Sequence, residues 1–193
     1  MEKLFFVQHA LERFLANFLI DFLLIFLPIA FFFLQKKSRN QKSGLKDSLQ
    51  ELGFCRISLK QFLKKTILLT AALIGIAFAM SYLLNTFNAN DLSNVTPAID
   101  YLRATPLLLV YIVIVRSSAE EVFFRGLLTK KTGALVSSIL FALIHLSYGS
   151  YAEVAGAFIL GFIFAKAFQL NKNLYPNIAA HIAFNAISVT LMY

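Results

Sequence analysis

Hydrophobic residues occur in long runs separated by short polar segments. On a helical hydropathy template, these runs predict membrane-spanning helices over residues 14–34, 67–84, 106–128, 134–148, 154–170 and 178–192. A helix needs about 20 apolar residues to cross the hydrocarbon core, so a chain of 193 residues has room for about six spans and little else. The pattern predicts an all-α fold, a polytopic membrane helical bundle forming one domain over residues 1–193.

Composition supports this prediction. Hydrophobic residues make up 59% of the chain and charged residues 15%, against about 25% charged residues in ordinary soluble domains. The protein is therefore expected to be an integral membrane protein, with the lipid bilayer as one of its partners.

The net charge of +8 is distributed unevenly. Nine basic residues crowd the segment 35–66, namely Lys36, Lys37, Arg39, Lys42, Lys46, Arg56, Lys60, Lys64 and Lys65. This is the positive-inside pattern of a cytoplasmic loop, and part of 45–65 has the alternation of an amphipathic helix on the inner membrane surface. The connection 85–105, with Asp91 and Asp100 against Arg103, is predicted outside. A nucleic-acid partner is not expected, because it requires a basic face on a water-exposed domain.

The predicted third span carries a cluster of charged residues, which are costly at membrane depth and usually functional. Glu121 and Arg125 are four residues apart, the spacing at which opposite charges pair on a helix. Glu120 lies about 100° away, so it can face a cavity and polarise a water molecule. Alternatively, both acids pair with Arg116 and Arg125 to stabilise the bundle. Asp21 in the first span is interpreted as a polar contact between helices, with cavity lining as the alternative.

Two histidines lie in later apolar helices. Phe141 and His145 are four residues apart, as are His181 and Asn185, so each pair projects to one side of its helix. Two helices can therefore bring imidazoles to one interior cavity with Glu120. A lone histidine in such a helix is more often a hydrogen-bonding core residue than a ligand. Depths counted along the helices predict a cavity that opens toward the cytoplasmic half.

These ordered residues resemble the CPBP intramembrane proteases, which include type II CAAX prenyl endopeptidases and bacterial Abi proteins linked to bacteriocin immunity. The matching pattern is Glu120, Glu121, Arg125, Phe141, His145, His181 and Asn185. It covers residues 106–193, the predicted catalytic core, whereas the first two spans match only in general character.

The resemblance implies a peptide or membrane-protein substrate and a water activated by Glu120 and His145. His181 and Asn185 would stabilise the oxyanion or position the water, and Arg125 would orient the glutamates. The cofactor stays open: Glu120, His145 and His181 could hold one zinc or other divalent ion, and a metal-free glutamate mechanism is the alternative.

The resulting prediction is an intramembrane endopeptidase, metallo- or glutamate-type, in a bacterial plasma membrane, acting in bacteriocin immunity or membrane-protein processing. Two other function classes stay open. One is a non-enzymatic immunity or receptor protein on the same scaffold, and the other is a small transporter with a proton relay through Glu120, Glu121 and the histidines.

Overall fold

Helices make up most of the chain. The computed structural model describes residues 2–39 and 44–191, with side chains from residue 15 onward. The helices are α1 (Glu2–Ser38), α2 (Leu45–Leu52), α3 (Leu59–Thr86), α4 (Thr96–Ala104), α5 (106–129), α6 (Lys130–Leu143), α7 (Tyr151–Asn171) and α8 (Leu174–Leu191). No strand occurs in the described ranges, and the predicted all-α class is confirmed. Residues 40–43 of the predicted basic loop, which include Lys42, and residues 192–193 of the predicted core lie outside the described residues.

Apart from residue 192, which lies outside the described residues, all six predicted spans fall in helical parts of the chain. Three of the helices, Leu15–Ser38, Leu59–Thr86 and Tyr151–Asn171, are long and apolar enough to cross a membrane, and large apolar side chains on them face outward. The pair Leu92–Ala104 and Pro106–Tyr148, bent by 109°, is a further candidate as a broken span or a re-entrant loop. Polar residues lower the hydropathy of α5 and α8. The protein is therefore an integral membrane helical bundle, and the number six stays a prediction.

Helix α5 is continuous but not uniformly α-helical. Two π-helical stretches, Ile112–Arg116 and Glu121–Thr129, flank the short α-helical segment Ser117–Glu120. Wide turns of this kind often occur at functional sites. Helix α6 is broken near its start by a kink at Gly133, whose φ of 86° favours glycine, and α6 packs beside the second half of α5.

The bundle has two ends, which differ in charge and packing. The basic end carries residues 35–39, 44–66, 130–133 and 171–174, and the α4 end carries residues 85–105, 144–151 and 189–191. At the basic end, α2 buries Leu52 in a cluster of apolar side chains comprising Phe32, Leu52, Val122, Phe168 and Leu174. Within the predicted amphipathic segment 45–65, the chain is helical only over α2 and from the start of α3.

Hydrogen bonds fasten the α4 end. The Asp91 carboxylate accepts from Ser150 Oγ at 2.7 Å and from the backbone N–H groups of Tyr151 and Ala152 at 2.8 and 2.9 Å. Arg103 Nε donates to the Val189 carbonyl at 2.9 Å. The 85–105 connection is thereby tied to the start of α7 and to the last turns of α8.

Candidate active site

A buried polar cluster lies between α5 and α8. Glu121 Oε1 is 3.1 Å from Arg125 Nη1 and accepts a hydrogen bond from His181 Nδ1 at 3.0 Å. Asn177 Nδ2 donates to the other oxygen of Glu121 at 3.1 Å and to the Phe164 carbonyl at 2.9 Å. The predicted Glu121–Arg125 pair is thus present, and it is fully enclosed, with both side chains at most 1% exposed.

Aromatic rings surround the guanidinium of Arg125. Its Cζ lies 4.4 Å from the centre of the Phe141 ring and 5.0 Å from that of Phe164, within cation–π range. Its Nη2 donates to the Gly161 carbonyl at 3.3 Å. A Cβ atom at Gly161 would lie 2.9 Å from Phe141, so the close approach of α7 requires glycine there. Arg125 is therefore fixed by packing as well as by charge.

Glu120, the neighbour of Glu121, faces a different environment. It lines a cavity of about 240 Å³ together with His145, His181 and Asn185. Glu121 and Arg125 are not part of that lining. The structure thus separates the two glutamates as the spacing predicts: Glu120 borders open space, and Glu121 is held by charged and polar partners.

The imidazoles of His145 and His181 are each oriented through Nδ1. His145 Nδ1 lies 2.8 Å from the Phe141 carbonyl, which can only accept, so Nδ1 carries the proton and Nε2 is left with its lone pair. His181 donates Nδ1–H to Glu121, and its Nε2 is 3.9 Å from Glu120 Oε2. Asn185 Nδ2 donates to Ser117 Oγ at 2.9 Å.

The structure adds polar residues that the sequence analysis did not single out. Asn177 precedes His181 by four residues, so the series Asn177, His181 and Asn185 on one helix could have signalled it. Ser117 is buried against Asn185, and no sequence pattern marks it.

A second ion pair, in which Asp21 is buried and Arg116 is partly exposed, joins α1 to α5. Arg116 Nε lies 2.5 Å from Asp21 Oδ1, and Tyr111 Oη donates to Asp21 Oδ2 at 2.8 Å. Asp21 thus makes the polar contact between helices that was expected of it. Arg116 pairs with Asp21 on α1, not with the glutamates of its own helix.

The three residues proposed as metal ligands do not form a metal site in this arrangement. Among the described residues, no group of three His, Cys, Asp or Glu side chains is placed to hold a metal ion. Glu120 and His181 approach each other only to 3.9 Å.

The cavity lies toward the α4 end. Its lining comes from the last turns of α3, from α4, from residues 109–120 of α5 and from residues 141–148 at the end of α6 and just after it. Residues 152–164 of α7 and the second half of α8 complete the lining. From the sequence, the cavity is predicted to open toward the cytoplasmic half, and the 85–105 connection is predicted to lie outside. These two predictions conflict, because the cavity and that connection share one end of the bundle.

Together, the membrane bundle and its buried carboxylate, imidazole and amide groups define a candidate hydrolytic site. Residues 102–187 match the family model described as "Type II CAAX prenyl endopeptidase Rce1-like". This match contains every candidate site residue, and it confirms the family resemblance over that part of the chain. No curated protein and no solved structure matches the chain.

Proposed function

We propose that this protein is an intramembrane endopeptidase that hydrolyses peptide bonds with a water activated by Glu120 and His145. The observation that carries the proposal is the shared cavity, which Glu120, His145, His181 and Asn185 line from three helices. The Rce1-like match over residues 102–187 supports the same activity.

Proton transfer begins at the water. Glu120 accepts a proton from it while His145 Nε2 accepts its second hydrogen in a hydrogen bond, and the water oxygen attacks the scissile carbonyl carbon. The tetrahedral intermediate collapses when the C–N bond breaks and Glu120 returns the proton to the leaving amine nitrogen. A positioned general base contributes about 10²- to 10⁴-fold to such a step.

Negative charge develops on the carbonyl oxygen, and Asn185 and His181 are the proposed donors to it. Asn185 Nδ2 carries two hydrogens, and one is used by Ser117, so the other is available. His181 already donates Nδ1–H to Glu121, so its role requires a second proton, at Nε2. That imidazolium would balance the buried cluster, because Glu120 and Glu121 would then face His181 and Arg125.

Glu121 and Arg125 are proposed as positioning residues, since neither borders the cavity. Their ion pair fixes the wide turn of α5, and the carboxylate of Glu121 fixes the ring of His181. A hydrogen-bond partner behind an active imidazole sets its tautomer and orientation.

The test is hydrolysis of a fluorogenic peptide library by the purified protein in nanodiscs. We expect Glu120→Gln and His145→Ala each to reduce turnover by about 10²- to 10⁴-fold, whereas Ser118→Ala, on the same helix but outside the cavity lining, retains it. A chelator series on the wild type separates a metal-dependent enzyme from a metal-free one. Turnover that survives in both site variants would refute the proposal and favour the binding or transport alternatives.

Substrate and pathway stay predictions. CAAX specificity requires a prenylated carboxy-terminal peptide, and the library should include one beside its unprenylated form. The bacterial Abi assignment, the role in bacteriocin immunity and the plasma-membrane location are likewise proposals, which would be tested by protection of producing cells with and without Glu120→Gln.

A further inference from the structure

The basic end of the bundle is closed beneath the site. Leu52, Phe168 and Leu174 are at most 1% exposed there. Helix α2 ends at Gly53, whose φ is 109° and whose Cβ, if present, would lie 2.8 Å from Phe168. The Gly53 carbonyl accepts from Leu174 N at 2.9 Å, and the Cys55 carbonyl accepts from Asn173 Nδ2 at 2.8 Å. Among the described residues, α2 therefore packs under the site at this end of the bundle.

Farther from the basic end, the ion pair of Glu121 and Arg125 forms a second barrier between that end and Glu120. Both side chains are buried, and the rings of Phe141 and Phe164 cover the guanidinium. Among the described residues, the lining of the space beside Glu120 continues along Ser81, Leu84, Ile99 and Leu102 toward the α4 end.

Charge orients the two ends in a membrane. The basic end carries Lys and Arg in 35–39, 44–66 and 130–133, whereas the 85–105 connection carries two Asp and one Arg. Short loops rich in Lys and Arg stay in the cytoplasm. The α4 end, with the cavity, is then the extracytoplasmic one.

We infer that the site is reached from the extracytoplasmic side of the membrane and that its substrate is a peptide segment with apolar side chains presented at that face. That this segment is cleaved rests on the proposed function, whereas the direction of access does not. The lining favours such a segment because its side chains are mostly apolar, including Ala77, Met80, Leu84, Ile99, Leu102 and Leu160. Charged side chains next to the scissile bond would lose hydration in this mostly apolar lining.

Thiol labelling tests the direction of access without requiring catalysis. The chain has one cysteine, Cys55, so Cys55→Ser provides a cysteine-free background. Three single cysteines are then added: Ser81→Cys in the cavity lining, Ser93→Cys in the 85–105 connection and Lys60→Cys at the basic end. An impermeant maleimide is applied to intact cells and, separately, to inverted vesicles.

We expect Ser81→Cys and Ser93→Cys to react in intact cells and Lys60→Cys to react only in inverted vesicles. The inference is overturned if Ser81→Cys reacts only in inverted vesicles, if it stays unreactive until detergent is added, or if Ser93→Cys reacts from the inside.

Peptide hydrolysis then separates this inference from the proposed function. An impermeant apolar peptide should be cleaved by right-side-out vesicles and not by sealed inverted ones, and a matched peptide with Asp or Lys beside the scissile bond should be cleaved at least tenfold more slowly. If the cavity labels from outside but Glu120→Gln leaves cleavage unchanged, access is supported and the proposed function fails. Cleavage only by inverted vesicles, or equal cleavage of the charged peptide, overturns the inference.

Discussion

The two ends of the bundle differ in how closely their side chains are packed. At the basic end, α2 packs Leu52 against Phe168 and Leu174 and leaves no room for a Cβ atom on Gly53. Toward the α4 end, the same bundle leaves a cavity of about 240 Å³ bordered by Glu120 and His145. The comparison indicates that close packing holds the buried charges in position, and that open space is confined to the side where chemistry is proposed.

Glu121 and Arg125 lie at the boundary between these regions, and removing one charge from their pair should have the largest effect on stability. Loss of one partner of a buried ion pair costs about 3–5 kcal/mol, because the other charge is left uncompensated. We expect Arg125→Met to lower the free energy of unfolding by that amount in denaturant titrations in detergent. The double variant Glu121→Gln/Arg125→Met should lose less than the sum of the two single variants, and simple additivity would contradict a direct pairing.

On the open side, Asn185→Ala should reduce turnover and leave stability nearly unchanged. Removal of one donor to a developing oxyanion costs about 10²- to 10³-fold in kcat. Ser117→Ala removes only the acceptor that orients Asn185, and one net hydrogen bond of about 0.5–1.5 kcal/mol corresponds to roughly 2- to 12-fold. Steady-state kinetics of both variants test this order, and a larger effect for Ser117→Ala would argue against Asn185 as the direct donor.

At the closed end, Gly53→Ala should destabilise the protein by about 1–3 kcal/mol, because the new methyl group overpacks against Phe168 at a backbone angle that alanine rarely adopts. Gly75→Ala is the matched control, since nothing lies within 4 Å of its Cβ position and alanine is the better helix former by about 1 kcal/mol. Thermal unfolding of the two variants in nanodiscs makes the comparison. Equal destabilisation would mean that the basic end is looser than its packing indicates.

The smallest expected effect concerns the fastening of the α4 end by Asp91. Hydrogen bonds from Ser150, Ala152 and Tyr151 hold the pKa of the Asp91 carboxyl group below its ordinary value. A group with a lowered folded pKa adds stability above its unfolded pKa of about 3.9, and that stability disappears as the pH falls through the folded value. We therefore expect Asp91→Asn to be less stable than wild type at pH 7, with the difference shrinking below about pH 4.

The exposed Asp100→Asn is the control for that titration, because Asp100 lies on the surface of α4, 3.6 Å from Arg103. Melting temperatures of all three proteins from pH 7 to pH 3 provide the measurement. If the difference in melting temperature between wild type and Asp91→Asn does not change with pH, Asp91 stabilises the fold through the packing of its side chain and not through its charge.

Local spacing predicted much of this site. A four-residue interval is enough to foresee that Glu121 meets Arg125 and that His181 and Asn185 share a face, because both pairs lie within single helices. Hydropathy was likewise enough for the all-α class, since a helix satisfies its own backbone groups in lipid.

Contacts between helices were harder to predict. Nothing in the sequence states that Asp21 lies beside Arg116 or that Asn177 bonds Glu121, because these pairs depend on which helices become neighbours. The end of the bundle toward which the cavity lies depends on the same choice of neighbours. Depths counted along separate helices do not show that Glu120, His145 and Asn185 all lie toward the same end as α4.

Hydroxyl groups beside the wide turns of α5 have a further structural role. In a π-helical stretch the hydrogen bonds skip one more residue than in an α-helix. Thr129 Oγ1 and Ser137 Oγ both donate to the Phe124 carbonyl, at 2.9 and 2.7 Å, and so hold one such turn open in a medium without water. Each π-helical turn rotates all the residues that follow it about the helix axis. The number of residues between Glu120 and Arg125 is consequently as much a part of the site as its chemistry, since losing one of them would rotate Glu120 by about 100° relative to Arg125.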